Sequence, residues 1–334
     1  MVRAAIVGLG WWGKSLVASV QGKSTDIVFM SAHTRSPAKV EEFCRDNRIK
    51  LVSEYAAILA DPTIEAVVLA TPHSQHGVQV RQAATMGKHV FVEKPFTLTK
   101  RDADMTIAAV EKAGIVLAVG FNRRFHPSMG ELRGRISDGR MGAIETCIGE
   151  QTAGAGVNIA PGAWRADPEE TPAGAMTGIG IHMVDAMIDL FGTITEVYCT
   201  SARYAAPHVE DSNCVFIKFA TGMSATFFAS IATVPNYRFA VYGSQGFAEI
   251  TKPTLDEFRF SPLPDPKAGH MVAVQPEVIA RPGFDTLHAE LTAFAISVKD
   301  KTPYPIPLEQ VLHGVAVFEA IVNSAKAGKP IAVG

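Results

Sequence analysis

The stretch Gly8-Leu9-Gly10-Trp11-Trp12-Gly13 follows the apolar run Arg3–Val7 and precedes a segment with a helical pattern, Lys14–Val20. A short apolar run that stops at a glycine is typical of a buried strand. In a G-x-G-x-x-G between a strand and a helix, the first glycine permits a tight turn and the second lets the backbone approach a pyrophosphate. The third lets the helix pack closely on the strand. The stretch therefore predicts a dinucleotide-binding turn, and a glycine-rich turn without a ligand is the alternative.

The two tryptophans of this turn, Trp11 and Trp12, are included among the predicted cofactor-binding residues. Packing against the loop or a partner surface explains such aromatic side chains better than direct stacking on the cofactor.

Further strand-like runs follow, and helical segments separate them. The strands are Ile27–Ala32, Ala66–Ala70, His89–Val92 and Ile115–Val119, and the helices are Ser36–Asn47, Ser74–Met86 and Asp102–Lys112. Strands that are connected through helices pair in parallel with right-handed crossovers. Residues 1–122 are thus predicted to form a doubly wound parallel α/β domain, the Rossmann arrangement.

The pattern changes in residues 123–334, the predicted second domain. Its strand-like stretches are Ile144–Gln151, Thr195–Tyr204, Asn213–Phe219, Ser224–Ala232, Arg238–Tyr242, Phe247–Ile250 and Phe258–Phe260. Helices are predicted at Pro127–Ser137, Ile181–Leu190, Phe284–Lys299 and Leu308–Ala327, and long loops at 152–178 and 261–282. Strands without helices between them indicate an α+β domain with a large, mainly antiparallel sheet.

Composition excludes several classes of protein. The chain has 334 residues and a net charge of -2, and this near-balance argues against a non-specific nucleic-acid binder. No apolar run reaches the ~18 residues of a membrane span, and the N-terminus lacks the apolar core of a signal peptide. Four cysteines without a C-x-x-C pair fit a reducing compartment. We expect a cytoplasmic protein with a small-molecule substrate and with no metal, membrane or nucleic-acid partner.

The end of the second strand bears on the choice of nucleotide. A site for NAD usually places an Asp or Glu there for the ribose 2′-hydroxyl, whereas this chain has Ala32-His33-Thr34-Arg35-Ser36. Arginine and hydroxyl groups attract a 2′-phosphate, and a carboxylate would repel it. The stretch favours NADP(H), with Arg35 and Thr34 near the 2′-phosphate. NAD(H) stays possible, because Arg35 can also be a solvated charge before the helix.

Two further strand ends carry polar groups. Thr71-Pro72-His73 and His76 follow the third strand, and Glu93-Lys94-Pro95 ends the fourth. Ligands of open α/β sheets bind at this carboxyl edge. We expect Lys94 to face the nicotinamide and to stabilise the charge on a reacting oxygen, although a surface Glu–Lys pair is the plainer reading. For His73 and His76, capping or packing at the cofactor edge is favoured over catalysis.

The order of these motifs resembles the Gfo/Idh/MocA oxidoreductases, named for glucose–fructose oxidoreductase and inositol dehydrogenase. The resemblance covers nearly the whole chain. Besides the motifs above, it rests on Ala84–Val90, Gly120–Phe125, Trp164-Arg165, Gly180–Asp185 and Ser324–Pro330. It implies a Rossmann domain joined to an open-faced α/β domain that often mediates oligomers, with a pyridine nucleotide as cofactor. A homodimer or homotetramer through the C-terminal sheet is therefore expected.

The resemblance also assigns roles to individual residues. Lys94 matches the active-site lysine and His182 the histidine that serves as proton donor or acceptor. Asp185 matches an acid one helical turn later, which either orients the His182 ring or is a structural carboxylate. Asn122 and Arg124 match positions that line the crevice, and Trp164 and Arg165 match a loop near cofactor or substrate.

One departure from the family pattern weakens a sugar or polyol assignment. Many sugar and inositol dehydrogenases of the family carry an aspartate four residues before the histidine, and this chain has Gly178 there. Thr177, counted among the substrate residues, could replace one hydrogen bond but not the charge.

The expected reaction is hydride transfer between NADP(H) or NAD(H) and a hydroxyl or carbonyl of a sugar, cyclic polyol or related compound. Lys94 would polarise the oxygen and His182 would act as acid or base. The alternatives are a dihydrodiol-type dehydrogenase and a non-catalytic NADP-binding regulator of the same fold.

Overall fold

The computed structural model describes residues 1–265, 267, 272 and 274–334. The chain divides into two compact units. The first comprises Met1–Asn122 and Asp285–Val315, and the second comprises Arg123–Phe284 and Ala316–Gly334.

The first unit contains a six-stranded parallel sheet in the order β3-β2-β1-β4-β5-β6. Its strands are β1 (Val2–Val7), β2 (Ile27–His33), β3 (Lys50–Leu51), β4 (Ala66–Leu69), β5 (His89–Glu93) and β6 (Leu117–Gly120). Its helices are α1 (Trp11–Val20), α2 (Glu41–Asp46), α3 (Tyr55–Ala60), α4 (His76–Thr85), α5 (Lys100–Ala113) and α8 (Thr286–Asp300). This is the Rossmann sheet that the sequence predicts.

The central strands of this sheet are continuous apolar runs because both of their faces are covered. Every residue of β4 is buried. Helix α5 shows the local signals that fix a helix: the Thr99 hydroxyl accepts a hydrogen bond from the Asp102 N–H, and Gly114 ends the helix with a φ of 64°. These strands bring their carboxyl ends, and the residues that follow them, to one edge of the sheet.

The second unit contains a nine-stranded sheet in the order β14-β13-β12-β11-β7-β10-β9-β8-β15. Its strands are β7 (Ile144–Thr152), β8 (Ile194–Ala202), β9 (Ser212–Phe219), β10 (Ser224–Ser230), β11 (Asn236–Gly243), β12 (Gly246–Thr251), β13 (Glu257–Pro262), β14 (Glu277–Ala280) and β15 (Ile331–Ala332). Helices α6 (Pro127–Ser137) and α7 (Ile181–Phe191) belong to this unit, and α9 (Leu308–Ala327) contributes residues to both units. The sheet is antiparallel except where β10 pairs with β7, so the predicted α+β class is confirmed.

Several local predictions are wrong. The predicted helix Ser36–Asn47 is a 3-10 turn, Pro37–Lys39, followed by α2, because the backbone leaves helical geometry at Val40. Strand β14 lies inside the predicted loop 261–282, and residues 266, 268–271 and 273 of that loop lie outside the described residues. The short strands β3 and β15 are too brief to leave a periodic pattern.

The division into units differs from the predicted domains in one segment. Residues 285–315 cluster with the first unit, whereas the sequence pattern assigns all of 123–334 to the second domain. Helix α8 explains the difference, because it contacts α1, β1, β2 and β5.

Across the described part of the chain, no helix combines the length and apolarity that crossing a membrane requires.

Candidate active site

The glycine turn after β1 has the geometry of a dinucleotide cradle. Gly8 has a φ of +93°, and a Cβ there would overlap the Ala70 carbonyl. A Cβ on Gly13 would overlap the Gly8 carbonyl oxygen, so the helix packs directly on the turn. Gly10 differs, because a Cβ there would meet nothing within 4 Å. The open side of the turn is therefore at Gly10, where the backbone has space for a ligand.

Helix α1 begins at this open side with its amide groups uncapped. Its N-cap, Gly10, makes no side-chain hydrogen bond to the first turn, and that turn holds no acidic residue. Free N–H groups and the positive end of the helix dipole favour a bound phosphate. Together with the Gly10 cradle, these groups fit a pyridine nucleotide.

The two tryptophans of the turn differ in environment. Trp11 is 67% exposed, whereas the Trp12 indole nitrogen is buried and has no hydrogen-bond partner among the described residues. Their ring centres lie 5.1 Å apart in an edge-to-face arrangement. Trp11 is thus open to a ligand or a partner surface, and Trp12 packs within the turn.

The end of β2 carries no carboxylate. His33 places its Nδ1 3.2 Å from the Val52 carbonyl oxygen, Thr34 is half-buried and Arg35 is exposed. The stretch from Ala32 to Ser36 therefore offers hydroxyl groups and one cation to the solvent.

The segment after β4 is tied to the segment after β5 through a buried histidine. The His76 side chain is fully buried, with Nδ1 2.8 Å from the Pro95 carbonyl oxygen and Nε2 3.0 Å from the Thr71 carbonyl oxygen. The His73 ring lies 5.8 Å from the His76 ring, centre to centre. The Thr71 hydroxyl donates to Gln79 Oε1, and Pro72 precedes the 3-10 turn. The buried His76 ring therefore links the segment that follows β4 to the segment that follows β5.

Glu93 and Lys94 stand at the end of β5. Glu93 is 5% exposed, its Oε2 accepts from the Lys94 N–H at 3.3 Å, and Lys94 is half-buried. The Lys94–Pro95 peptide bond is cis. At the end of β6, the Asn122 amide donates to the Thr286 hydroxyl at 2.6 Å, so the predicted crevice residue is fixed to the start of α8.

The sheet register aligns these groups. Val7 pairs with Leu69, Leu69 with Val92, and Val92 with Val119. The four strands end in one row, which brings the glycine turn, Thr71 and Lys94 to the same edge of one unit.

Glu290 was missed by the sequence reasoning. It is a fully buried carboxyl on α8, and burial together with neighbouring Glu93 raises its pKa well above the ordinary value of 4.5. The sequence could have indicated this residue, because Glu290 is a charged residue on an otherwise apolar helix face that includes Leu287, Leu291 and Phe294.

In the second unit, His182 is the second residue of α7 and is 8% exposed. A π-helical segment, Met176–Gly180, leads directly into this helix. A wide turn of this kind often marks a functional site.

Thr177, which is predicted among the substrate residues, has a fully buried side chain, and its hydroxyl donates to the Pro172 carbonyl. Its contact with a substrate stays a prediction. At Gly178, a Cβ would meet only Ile231, at 3.8 Å, which leaves room for a larger residue.

Arg124 and Asp185 are paired with each other. Arg124 Nε lies 2.9 Å from Asp185 Oδ2, Nη2 lies 2.7 Å from Oδ1, and Nη1 lies 3.3 Å from Asp189 Oδ1. Burial raises the pKa of Asp185 to about 6, and the Arg124 guanidinium opposes this rise. This ion pair gives Arg124 a structural role, because its buried guanidinium compensates the buried Asp185 carboxylate. The orienting role of Asp185 toward His182 stays a prediction.

Two other arginines of this unit lie against aromatic rings. Arg165 lies 4.0 Å from the centre of the Trp164 ring, on a short 3-10 turn within the predicted loop 152–178. Arg123, which the sequence reasoning did not single out, lies 4.7 Å from the Tyr237 ring centre, and burial lowers its pKa.

Within the described residues, no group of three or more His, Cys, Asp or Glu side chains could hold a metal ion.

Two family profiles match the chain. The oxidoreductase family with an NAD-binding Rossmann fold, Gfo/Idh/MocA, matches residues 2–121, and the C-terminal domain of the same family matches residues 129–249.

Individual proteins extend the similarity over the full length. An uncharacterised oxidoreductase of Bacillus subtilis (strain 168), YrbE, is 24% identical and covers 98% of this chain and 95% of its own. D-xylose 1-dehydrogenase (NADP(+)) 2 of Haloferax volcanii is 24% identical, with 95% of each chain covered. The structure of levoglucosan dehydrogenase in complex with NADH and levoglucosan has a TM-score of 0.89 at 20% identity and covers 99% of each chain.

Proposed function

The chain belongs to the Gfo/Idh/MocA family and is an NAD(P)-dependent dehydrogenase or reductase that acts on CH–OH groups, and we propose that its substrate is a sugar, a cyclic polyol or a related small molecule. Relatives named for D-xylose and levoglucosan support this substrate class.

One observation carries the proposal. The row of strand ends at Val7, Leu69 and Val92 places the Gly10 cradle and the Lys94 side chain at the same edge of the nucleotide-binding sheet. A cation at this edge supports the proposal, because an ammonium group stabilises the negative charge that develops on a reacting oxygen.

The residues of the chain divide the chemistry between them. A bound pyridine nucleotide supplies the hydride acceptor or donor. The Lys94 ammonium donates a hydrogen bond to the reacting oxygen, and the His182 imidazole takes the hydroxyl proton in oxidation and returns it in reduction. Positioned proton transfer of this kind accelerates a reaction about 10²–10⁴-fold.

NADP(H) is the preferred cofactor in this proposal. Arg35 is exposed after β2, and the stretch from Ala32 to Ser36 holds no acid that would repel a 2′-phosphate. Relatives point both ways, because one is named for NADP(+) and another was solved with NADH.

Gly178 bears on the kind of substrate. An enzyme without a carboxylate at this position lacks one anionic partner for a substrate hydroxyl, so a less hydroxylated substrate such as a dihydrodiol is the second candidate.

The second-unit sheet is proposed to join two or four copies of the chain. Tyr198 on β8 lies directly opposite Phe216 on β9, and their side chains are 37% and 40% exposed. Light scattering of a micromolar solution tests this, and a monomer would contradict it. All four cysteines are free thiols, which supports a reducing, cytoplasmic location.

A substrate screen tests the activity. Purified protein is incubated with NADP⁺ or NAD⁺ and with sugars, inositols, sugar acids and diols, and reduced nucleotide is followed by its absorbance. We expect turnover of at least one sugar or polyol, with NADP⁺ preferred. Activity confined to diols would favour the second candidate, and activity with NAD⁺ alone would contradict the role of Arg35.

A further inference from the structure

The carboxyl group of Glu290 lies fully inside the first unit. Neither of its oxygen atoms has a hydrogen-bond partner among the residues that the structure describes. An isolated charge in such surroundings is strongly unfavourable, so the group keeps its proton or shares one.

The geometry of α8 and β5 places Glu290 beside Glu93. The Phe294 ring on α8 contacts the Phe91 ring on β5, with ring centres 5.8 Å apart. Glu290 precedes Phe294 by one helical turn, a displacement of about 6 Å, and Glu93 follows Phe91 by two strand residues, about 6.6 Å. Both carboxyl groups are thus on the faces that already meet at the phenylalanine pair.

Three charged groups act on Glu290. Glu93 and Asp285, the N-cap of α8, disfavour its ionised form, and Lys94 favours it. The Glu93 carboxyl lies close against β6, because a Cβ on Gly120 would come within 2.9 Å of Glu93 Oε1. Two nearby carboxyl groups in a buried site cannot both ionise easily, so they titrate as a pair.

We propose that Glu290 is a positioning residue for Lys94: Glu290 and Glu93 hold one proton between them at neutral pH, and the pair forms the counter-charge of the Lys94 ammonium. The proton resides on a carboxyl oxygen of Glu290, and Glu93 supplies the single negative charge. This inference deepens the proposed function, since it rests on Lys94 as the cation of that site.

The Glu290–Glu93 pair also keeps Lys94 protonated to a higher pH. When Glu290 loses its proton, the pair carries two negative charges, and the second charge stabilises protonated Lys94 further. A variant that cannot ionise at position 290 lacks this second charge. Lys94 then loses its proton at a lower pH than in the wild-type protein.

The test measures the protonation of Lys94 directly. Wild-type protein, Glu290→Gln and the control Asp300→Asn react with an amine-acylating reagent over a range of pH, and mass spectrometry of the Lys94 peptide gives the extent of reaction. Asp300 is an exposed carboxylate at the end of the same helix. We expect the titration midpoint of Lys94 to fall by about one pH unit in Glu290→Gln and to stay unchanged in Asp300→Asn.

A merely structural Glu290 gives a different result. Glutamine preserves the shape and hydrogen bonding of a protonated glutamate, so an unchanged Lys94 midpoint in Glu290→Gln would overturn the proposal. Glu290→Leu, which also lacks the acid, must show the same shift, and it replaces Glu290→Gln if that variant fails to fold.

Kinetics separate this inference from the proposed function. If the enzyme turns over a substrate, the alkaline limb of kcat moves with the Lys94 midpoint. If no substrate is found but the midpoint shifts, the proposed function fails and the Glu290–Lys94 coupling stands.

Discussion

Arg124 and Asp185 form a two-point ion pair inside the second unit, with nitrogen–oxygen distances of 2.9 and 2.7 Å, and both side chains are 6% exposed. A buried pair of this kind is costly to break, because the remaining partner is left as an uncompensated charge. Asp189 receives the third guanidinium contact, at 3.3 Å, so the guanidinium links two carboxylates of α7.

Removing this arginine is expected to destabilise the protein. Arg124→Met should lower the free energy of unfolding by about 3 kcal/mol or more, because Asp185 stays buried without its cation. Arg133→Met is the control, since Arg133 also contacts Asp189 but is 44% exposed, and its loss should cost about 1 kcal/mol or less. Urea unfolding measures both. The double variant Arg124→Met/Asp185→Leu should recover part of the loss, and a double variant no more stable than Arg124→Met would contradict this account.

Two glycines of the nucleotide turn should respond oppositely to substitution. Gly10→Val is expected to leave the unfolding temperature nearly unchanged and to abolish nucleotide binding, because its side chain enters the open cradle. Gly13→Ala should destabilise the fold by about 2 kcal/mol or more, because the added Cβ overlaps the Gly8 carbonyl oxygen. Calorimetric titration with NADP(H) and thermal unfolding distinguish the two effects. A Gly10→Val protein that binds nucleotide normally would show that the cradle lies elsewhere.

The cation after β2 should determine the preference for nucleotide. Arg35→Ala is expected to weaken NADP(H) binding about tenfold or more and to leave NAD(H) binding nearly unchanged, since only NADP(H) carries the 2′-phosphate. Arg45→Ala, at an exposed position on α2, is the matched control. Equal losses for both nucleotides in Arg35→Ala would exclude a specific contact with the 2′-phosphate.

His126 should make stability depend on pH. Its Nδ1 accepts the Ser128 N–H at 3.2 Å and caps α6, and burial lowers its pKa below the ordinary 6.5. The unfolded chain therefore binds a proton more readily than the folded one, and stability falls as the pH drops below 6.5.

The change is at most about 1.4 kcal/mol per pH unit for one proton. His126→Asn keeps a capping side chain and cannot titrate, so its urea midpoint should vary less between about pH 7 and 5. An identical pH dependence in the two proteins would assign the effect to another group.

Much of the first unit follows from local patterns. The apolar strands and the glycine turn are fixed by residues near one another in sequence, so the sequence predicts them. The residues of α8 were assigned to the wrong part of the molecule, because an amphipathic pattern shows which face is buried but not which sheet covers it.

Only the structure identifies which polar groups are partners inside each unit. Arg124 meets Asp185 across 61 positions of sequence, and Glu290 meets the end of β5 across a still longer separation. A sequence of this kind identifies a charged residue on an apolar face, but it does not show which distant group neutralises that charge. The burial of Thr177 was hidden for a different reason. Its acceptor, the Pro172 carbonyl, is close in sequence but is a main-chain group that every residue type supplies.

The most direct test of the account compares Lys94→Ala with Lys112→Ala, an exposed lysine on α5, in turnover and in nucleotide affinity. We predict that Lys94→Ala loses about 100-fold or more of kcat while its nucleotide dissociation constant stays within about threefold of the wild-type value. Lys112→Ala should match the wild-type protein in both measurements. Wild-type turnover in Lys94→Ala would contradict the central claim.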